Sequence, residues 1–300
     1  MKPVAAVVPT WNARPRLDRV LDGLGRQVDL VVAVDNGSTD GTAEALAAWA
    51  GGAPGRVAVP LATNQGYPAA VNAGARVALG AGAAAFALAN DDAVFDAGAV
   101  VKLCRGLEAD PRAAATTAKL VYEAAPGTLN GTGGLWVPRR AWASLRGEGE
   151  VDGGQYDQDV VVSYPSGAGS LIRAAAWRDV GPMDEAYFLY YEDADWGLRA
   201  AEKGWRVLFV PAATVRHMGS AGTAEDPARR RYYNVRNRLL FASRHAPPRG
   251  RGWAWAATGC LMAKQPARWL DPGRRRDAEA VFRAVADHLR QRYGRGAQFG

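Results

Sequence analysis

Short apolar runs at Val4–Val8, Leu30–Val34, Val57–Pro60 and Ala84–Ala89 show no polar alternation, the mark of strands covered on both faces of a sheet. Between the first two the period lengthens. Leu17, Val20, Leu21 and Leu24 recur at i, i+3, i+4 and i+7, which predicts an amphipathic helix beginning near Pro15. Thr42–Ala50, with Thr39 or Asp40 as its cap, and Pro68–Leu79 read as two more helices. This βαβαβαβ order predicts a doubly wound α/β fold, a mostly parallel sheet flanked by helices. Such sheets bind ligands beyond the carboxyl ends of their strands.

The pattern loosens from Tyr122 to Ser166, where Gly and Pro are frequent and irregular hairpins over the sheet are expected. Arg173–Val180 and Asp193–Lys203 read as helices and Trp205–Val210 as a strand. Beyond Thr223 the chain is helical and broken at Pro247, Pro248 and Pro272. Charge changes at the same place. From Glu225 to Gly300 there are 17 Lys and Arg against 6 Asp and Glu, whereas the rest of the chain carries 20 against 24. The expected division is therefore a main domain over 1–222 and a basic helical extension over 223–300. That extension fits either a membrane-surface helix, peripheral on the inner face, or a helical cap with a solvated basic side.

Composition narrows the class. With 300 residues, 48% of them hydrophobic and 22% charged, the chain can bury a full core, which excludes wholesale disorder. Cys104 and Cys260 form no metal or disulfide pattern, and a reducing, cytoplasmic setting is expected. No apolar run reaches the roughly 20 residues of a spanning helix, and Val4–Val8 is too short for a signal peptide.

Polar residues gather where the strands end: Pro9-Thr10-Trp11-Asn12 after the first, Asp35 to Thr42 after the second, Asn90-Asp91-Asp92 after the fourth. Adjacent carboxylates repel unless a cation compensates, and Mg²⁺ or Mn²⁺ takes such oxygens together with substrate phosphates. A metal-diphosphate site is the expectation. No phosphate-binding glycine loop accompanies the acids, which argues against P-loop hydrolases and nicotinamide dehydrogenases. A second cluster, Glu192, Asp193 and Asp195 beside Trp196, opens a helix. Asp193 is placed to be a general base and Asp195 to hold a backbone or acceptor group. His217, after the last strand, is a candidate nitrogen ligand for the metal.

Together these motifs resemble inverting nucleotide-sugar glycosyltransferases of family 2, whose fold is called GT-A. The likeness runs from Pro9-Thr10-Trp11-Asn12 through Val34–Thr42, Asn64–Asn72, Asn90–Asp92, Tyr191–Trp196 and Pro211–His217. It ends on Tyr232–Leu240, a stretch similar to rhamnosyl- and galactofuranosyltransferase-like members. The resemblance implies that Asp35 binds the nucleobase framed by Pro9, Thr10 and Asn12, that Asn64, Gly66 and Asn72 line the nucleotide pocket, and that Asn90 and Asp91 lie close by. It implies Asp92 and His217 as metal ligands, Asp193 as base, and Glu192, Asp195 and Trp196 around the acceptor. Asn90 departs from the acidic first position of the family's D-x-D. Arg236 and Arg238 are candidates to steady the departing diphosphate. The implied activity is metal-assisted transfer of a hexose from a UDP- or dTDP-linked donor to a glycan or lipid-linked acceptor, in cell wall or polysaccharide biosynthesis. Gln265-Pro266-Ala267-Arg268-Trp269 spells a motif of processive synthases by chance, since the membrane helices of those synthases are lacking.

Two rivals come from other classes. A nucleotidyltransferase would share the carboxylates and metal, but its Gly-rich basic loop near the first strand is lacking. A nucleic-acid binder would rest on the basic tail alone, with no recognition signature, so no nucleic-acid partner is expected.

Overall fold

The computed structural model describes residues 1–218 and 226–297. The expected division after residue 222 lies outside the described residues. The alternation read from the sequence is present as β1 (Val4–Thr10), α1 (Leu17–Gly25), β2 (Leu30–Asp35), α2 (Thr42–Gly51), β3 (Arg56–Pro60), α3 (Tyr67–Gly80) and β4 (Ala85–Leu88). Next come β5 (Ala93–Phe95), α4 (Ala99–Ala109), β6 (Ala113–Tyr122), β7 (Ala125–Gly131), β8 (Gly134–Val137), β9 (Trp142–Leu145), β10 (Val160–Val162) and β11 (Ser170–Arg173). The chain continues with α5 (Ala174–Val180), α6 (Glu192–Glu202), β12 (Arg206–His217), α7 (Pro227–His245), α8 (Pro248–Ala263), α9 (Gln265–Trp269) and α10 (Arg275–Leu289).

The main sheet runs β10-β12-β6-β11-β4-β1-β2-β3. β4, β1, β2 and β3 are mutually parallel, as are β6 and β12, and β11 joins the two blocks antiparallel to both neighbours. Each face carries its own core. On one side Leu17, Val20, Leu21 and Leu24 of α1, Leu46 of α2, and Leu103 and Leu107 of α4 pack on the strands. On the other, Ala70 and Val71 of α3, Trp177 of α5 and Trp196 of α6 do so. The strands are buried on both faces, hence their lack of alternation. A third cluster, with Tyr233, Ala254 and Val281, binds α7, α8 and α10 together and includes Phe188 from the segment before α6.

Two expectations change. The stretch between β4 and Tyr122, left unread in sequence, holds β5, α4 and the central strand β6. Several residues expected as irregular hairpins over the sheet are in it: β7 pairs with β6 and β10 with β12.

Candidate active site

Because β2, β1 and β4 lie side by side and run the same way, their carboxyl ends deliver Asp35, Thr10 and the Asn90–Asp92 segment to one rim. A cleft opens there, lined by Pro9, Thr10, Trp11, Arg16, Asn36, Asn64, Gly66, Tyr67, Asn90, Asp91 and Asp92, with Phe188, Leu189, Tyr190 and Arg229 opposite.

At one end, amides organise the wall. Asn36 Nδ2 donates to Asn64 Oδ1 at 3.3 Å and to the Gly66 carbonyl at 3.1 Å, and Asn36 Oδ1 accepts from the Gln65 N–H at 2.9 Å. Gly66 stands at φ +92, and a Cβ there would meet the Phe188 carbonyl at 2.6 Å. Only glycine permits both the backbone angle and the approach. Tyr67 N–H then donates to that carbonyl at 2.7 Å, joining α3 to the opposite wall.

At the other end lie the acids. Asp91 accepts from Arg16 Nε at 3.1 Å and from the Trp11 N–H at 3.2 Å. Burial raises its pKa against the pull of Arg16. His217 Nδ1 lies 2.8 Å from Asn130 Oδ1, an oxygen that only accepts, so Nδ1 carries the ring proton. The ring's Nε2 faces Asp92 Oδ1, 3.0 Å away, and Asn90 Nδ2, 3.3 Å away. Asn90 Oδ1 is buried with no hydrogen-bond partner. A carboxylate and an imidazole oriented by Asn130 meet here beside a buried amide, a donor pair that suits a divalent cation. Among the described residues no group of three or more His, Cys, Asp or Glu side chains does so, which leaves other positions to substrate or solvent.

Asp193 lies at the start of α6, behind Tyr67. Its Oδ1 accepts from the Ala194 N–H at 2.7 Å and its Oδ2 from the Gly167 N–H at 3.3 Å, while Tyr67 donates its hydroxyl to the Gly167 carbonyl at 2.9 Å. Burial pushes Asp193 up to about 6. Glu192, buried with Oε2 unpartnered, is pushed up to about 8 by burial and by the charge of Asp193. Near neutrality the pair thus carries about one negative charge between its two carboxyls. Burial raises the Tyr67 phenol as well, and so do the charges of Glu192, Asp193, Asp91 and Asp92. One side chain feels both acid pairs.

The turn leading into α6 is strained. Phe188, Tyr190 and Tyr191 have φ of 62, 69 and 74, conformations that non-glycine residues hold only when surroundings enforce them. α7 supplies the enforcement. Asn237 Nδ2 reaches the carbonyls of Tyr187, Leu189 and Tyr190 at 2.7, 2.7 and 3.0 Å, and Arg236 Nη2 those of Ala186 and Tyr187 at 3.2 and 3.0 Å.

The geometry revises several expected roles. Arg236 is fully buried, and its remaining nitrogens go to Gly294, Asn237 and Tyr232. Arg238 lies between the Trp142 and Trp253 rings, 5.6 Å from each. Neither lines the cleft, and the cations that do are Arg16 and Arg229. Arg229 stacks 4.6 Å over Trp11, with its pKa lowered by burial and its Nε unpartnered. Asn72 is spent on Met183, donating to its carbonyl at 2.9 Å and accepting from its N–H at 3.0 Å. Asn12 accepts from the Thr39 N–H at 2.9 Å, and Asp35 from the Ser38 N–H at 3.3 Å, so both shape the turn behind the cleft. Asp195 accepts from Tyr187, Arg199 and His245. Burial alone would raise its carboxyl, but His245 and Arg199 hold it low. Trp196 is wholly buried, stacked on Trp177. These two brace α6 and do not face the cleft. Trp11, Arg16, Asn36, Tyr67, Tyr190 and Arg229 were not picked out as site residues. Trp11, Asn36, Tyr67 and Tyr190 lie inside or beside the stretches that were, whereas Arg229 was hidden in a basic tail.

Arg236→Met tests the structural reading. It would leave the Ala186, Tyr187 and Gly294 carbonyls short of donors, and a loss on the order of 3 kcal/mol is expected in thermal or urea unfolding. Wild-type stability with lost donor binding would instead restore Arg236 as a phosphate ligand.

A mostly parallel central sheet flanked by helices is the architecture of GT-A folds. The chain belongs to glycosyltransferase-like family 2, whose profile matches residues 2–240. It is 31% identical over 293 residues to the N-acetylglucosaminyl-diphospho-decaprenol L-rhamnosyltransferase of Mycobacterium tuberculosis (strain ATCC 25618 / H37Rv), covering 89% of this chain and 88% of the relative. Among solved structures, a mannosyltransferase from Pyrobaculum calidifontis in complex with GDP-Man and Mn²⁺ superposes with a TM-score of 0.57 at 19% identity, over 96% of this chain and 87% of that one. GalNAc-T7 with UDP, GalNAc and Mn²⁺ gives 0.58 at 14% identity over 71% of this chain, which spans 42% of that longer chain. The family and the rhamnosyltransferase relative make this protein a glycosyltransferase, and the solved structures share its fold.

Proposed function

We propose that the protein transfers a sugar, with inversion and with a divalent cation, from a UDP- or dTDP-linked donor to a hydroxyl of a lipid-linked or glycan acceptor. The observation that carries this reading is Tyr67, which lines the cleft beside Asp91 and Asp92 and whose hydroxyl donates to the carbonyl of Gly167, the residue whose N–H reaches Asp193. In the proposed arrangement Asn36, Asn64 and Gly66 seat the nucleoside, and Arg16 and Arg229 face the diphosphate. Asp92 and His217, with Asn90 Oδ1 at hand, would hold Mg²⁺ or Mn²⁺. When bound, the cation would supply electrostatic stabilisation to the departing diphosphate. Asp193 takes the proton of the acceptor hydroxyl as it attacks the face opposite the leaving group. Glu192, keeping its own proton, leaves Asp193 as the charged member of the pair.

The mycobacterial relative is named for L-rhamnose and a decaprenol-linked diphosphosugar, which favours a 6-deoxyhexose donor and a polyprenyl-diphosphate acceptor here. Both described cysteines are free, in keeping with a cytoplasmic placement. The test is product analysis with nucleotide sugars and Mn²⁺. Release of nucleoside diphosphate and a glycoside of inverted anomeric configuration is expected, whereas release of pyrophosphate would mean nucleotidyl transfer. The pH profile checks the base. Asp193 works only when ionised, so kcat/KM should rise tenfold per pH unit below about 6 and level off above it. A flat profile from pH 5 to 7 would remove Asp193 from that role.

A further inference from the structure

Helix α8 breaks the rule that a surface helix turns polar residues to water. From Gly252 to Ala263 it has no charged residue. It buries only a narrow stripe, Gly250, Ala254 and Thr258, at i, i+4 and i+8. Gly250 sits so close to the Pro138 carbonyl that a Cβ would overlap it, which fixes the helix's rotation. Solvent meets Trp253 and Trp255, 46% and 40% exposed, along with Ala256, Gly259, Cys260 and Ala263. The surface continues past α8 with Trp269, 38% exposed, and Leu270, 85% exposed. Contiguous apolar surface of this kind marks an interaction site.

We propose that this face of α8 and α9 docks on an anionic lipid bilayer. Charge complementarity selects that occupant: Arg274, Arg275 and Arg276 just beyond the face pair with Asp271, Glu279 and Asp226, while Arg249, Arg251, Lys264 and Arg268 stand in a stretch without an acidic residue. A second copy joined through the same face would set those cations against their own kind. At about 1.5 Å per residue the uncharged run is roughly 18 Å long, short of the ~30 Å hydrocarbon core. Among the described residues no helix is long and apolar enough to cross a membrane. The helix therefore lies in the plane of the interface, where tryptophan is favoured. The face also adjoins the active site. Trp253 stacks on Arg238, and the neighbouring Asn237 holds the Leu189 and Tyr190 carbonyls of the cleft wall. Docking brings the cleft to the lipid surface, where a polyprenyl acceptor would reside. This last step rests on the function proposed above, and the binding itself does not.

The test is cosedimentation with vesicles of phosphatidylcholine alone and of phosphatidylcholine with phosphatidylglycerol. The wild-type chain is compared with Ala256→Glu/Cys260→Glu, which charges two exposed positions and leaves the buried stripe intact. The wild type should bind the anionic vesicles, less so as salt rises, and the variant about tenfold more weakly at an unchanged unfolding midpoint. No binding by the wild type, or equal binding by both, overturns the proposal. So does a dimer that the substitutions dissociate, seen by sedimentation without vesicle binding. In a second arm, transfer to a soluble short-chain acceptor should be unaffected by the substitutions while transfer to a vesicle-embedded acceptor falls. An equal fall on both assigns the face to catalysis rather than to lipid. Absence of all transfer by the wild type would defeat the functional reading and leave the vesicle result standing.

Discussion

Asp193→Asn is expected to lower kcat by about three orders of magnitude, at the upper part of the range for a general base, with donor affinity changed less than twofold. The amide is isosteric, and its one oxygen can keep the shorter of the two bonds, from the Ala194 N–H, while the weaker 3.3 Å bond from the Gly167 N–H is given up. Folding should survive, since the substitution removes a buried charge whose pKa burial has already raised. What it removes is the charge of the Glu192–Asp193 pair, because Glu192 retains its proton to about 8, while the ionised Asp195 is already spent on Arg199 and His245. Steady-state assays beside calorimetric titration of the donor separate the two effects. Turnover near the wild-type rate would move the base elsewhere. Glu192→Gln gives a control: with the Glu192 proton already in place, it should cost less than Asp193→Asn, and the pH limb near 6 should stay where it is, since a neutral Glu192 does not repel Asp193 there.

How much of this was legible depended on what each residue had to satisfy. The parallel block β4-β1-β2-β3 and helices α1 to α3 could be read because burial on both sheet faces and on one helix face leaves distinct periods. β6 could not, since its opening Ala-Ala-Ala carries no strand-forming bulk, and its small residues suit close packing: Gly106 of α4 lies against Thr116. In the site, Asp91, Asp92, Asp193 and His217 could be found from their residue types beside strand or helix ends. Their partners could not. Asn130 fixes the His217 tautomer from a β7 residue 87 positions away, and Arg229 enters the cleft from a helix whose excess charge hid it. Arg236 and Arg238 stand out by their place in a motif, which suggests the diphosphate as their partner, whereas Arg236 and the intervening Asn237 bond to the turn before α6. Their hydrogen bonds go to carbonyls, which a side-chain pattern cannot reveal.

The fastening of the Phe188–Tyr191 turn connects these points. Three left-handed residues set the direction of α6 and place Asp193 behind Tyr67, while the same turn presents Leu189 and Tyr190 to the cleft. α7 holds it from behind and sends Arg229 to the other side of Trp11. The cleft wall and Asp193 thus share one support, so the first three turns of α7 pack as part of the cleft although their composition is that of the basic tail.

Asp92→Asn is the second large expected effect. The substitution keeps size and one oxygen but withdraws the charge that faces His217 Nε2 at 3.0 Å. Asn130 still holds the imidazole with its proton on Nδ1, so the ring stays oriented and only its anionic companion is lost. A cation held by neutral nitrogen and amide oxygens alone binds much more weakly, and Mn²⁺ affinity should fall about a hundredfold. Donor affinity measured with Mn²⁺ should fall to the value of wild-type protein in EDTA, and turnover by about a thousandfold. The decisive comparison is EDTA on the variant. If Asp92 acts through the cation, chelation removes nothing further from its donor binding, whereas a further drop would show the cation held elsewhere. Wild-type protein that transfers sugar at full rate in EDTA would exclude the metal role of Asp92 and His217 together, leaving Arg16 and Arg229 to neutralise the diphosphate.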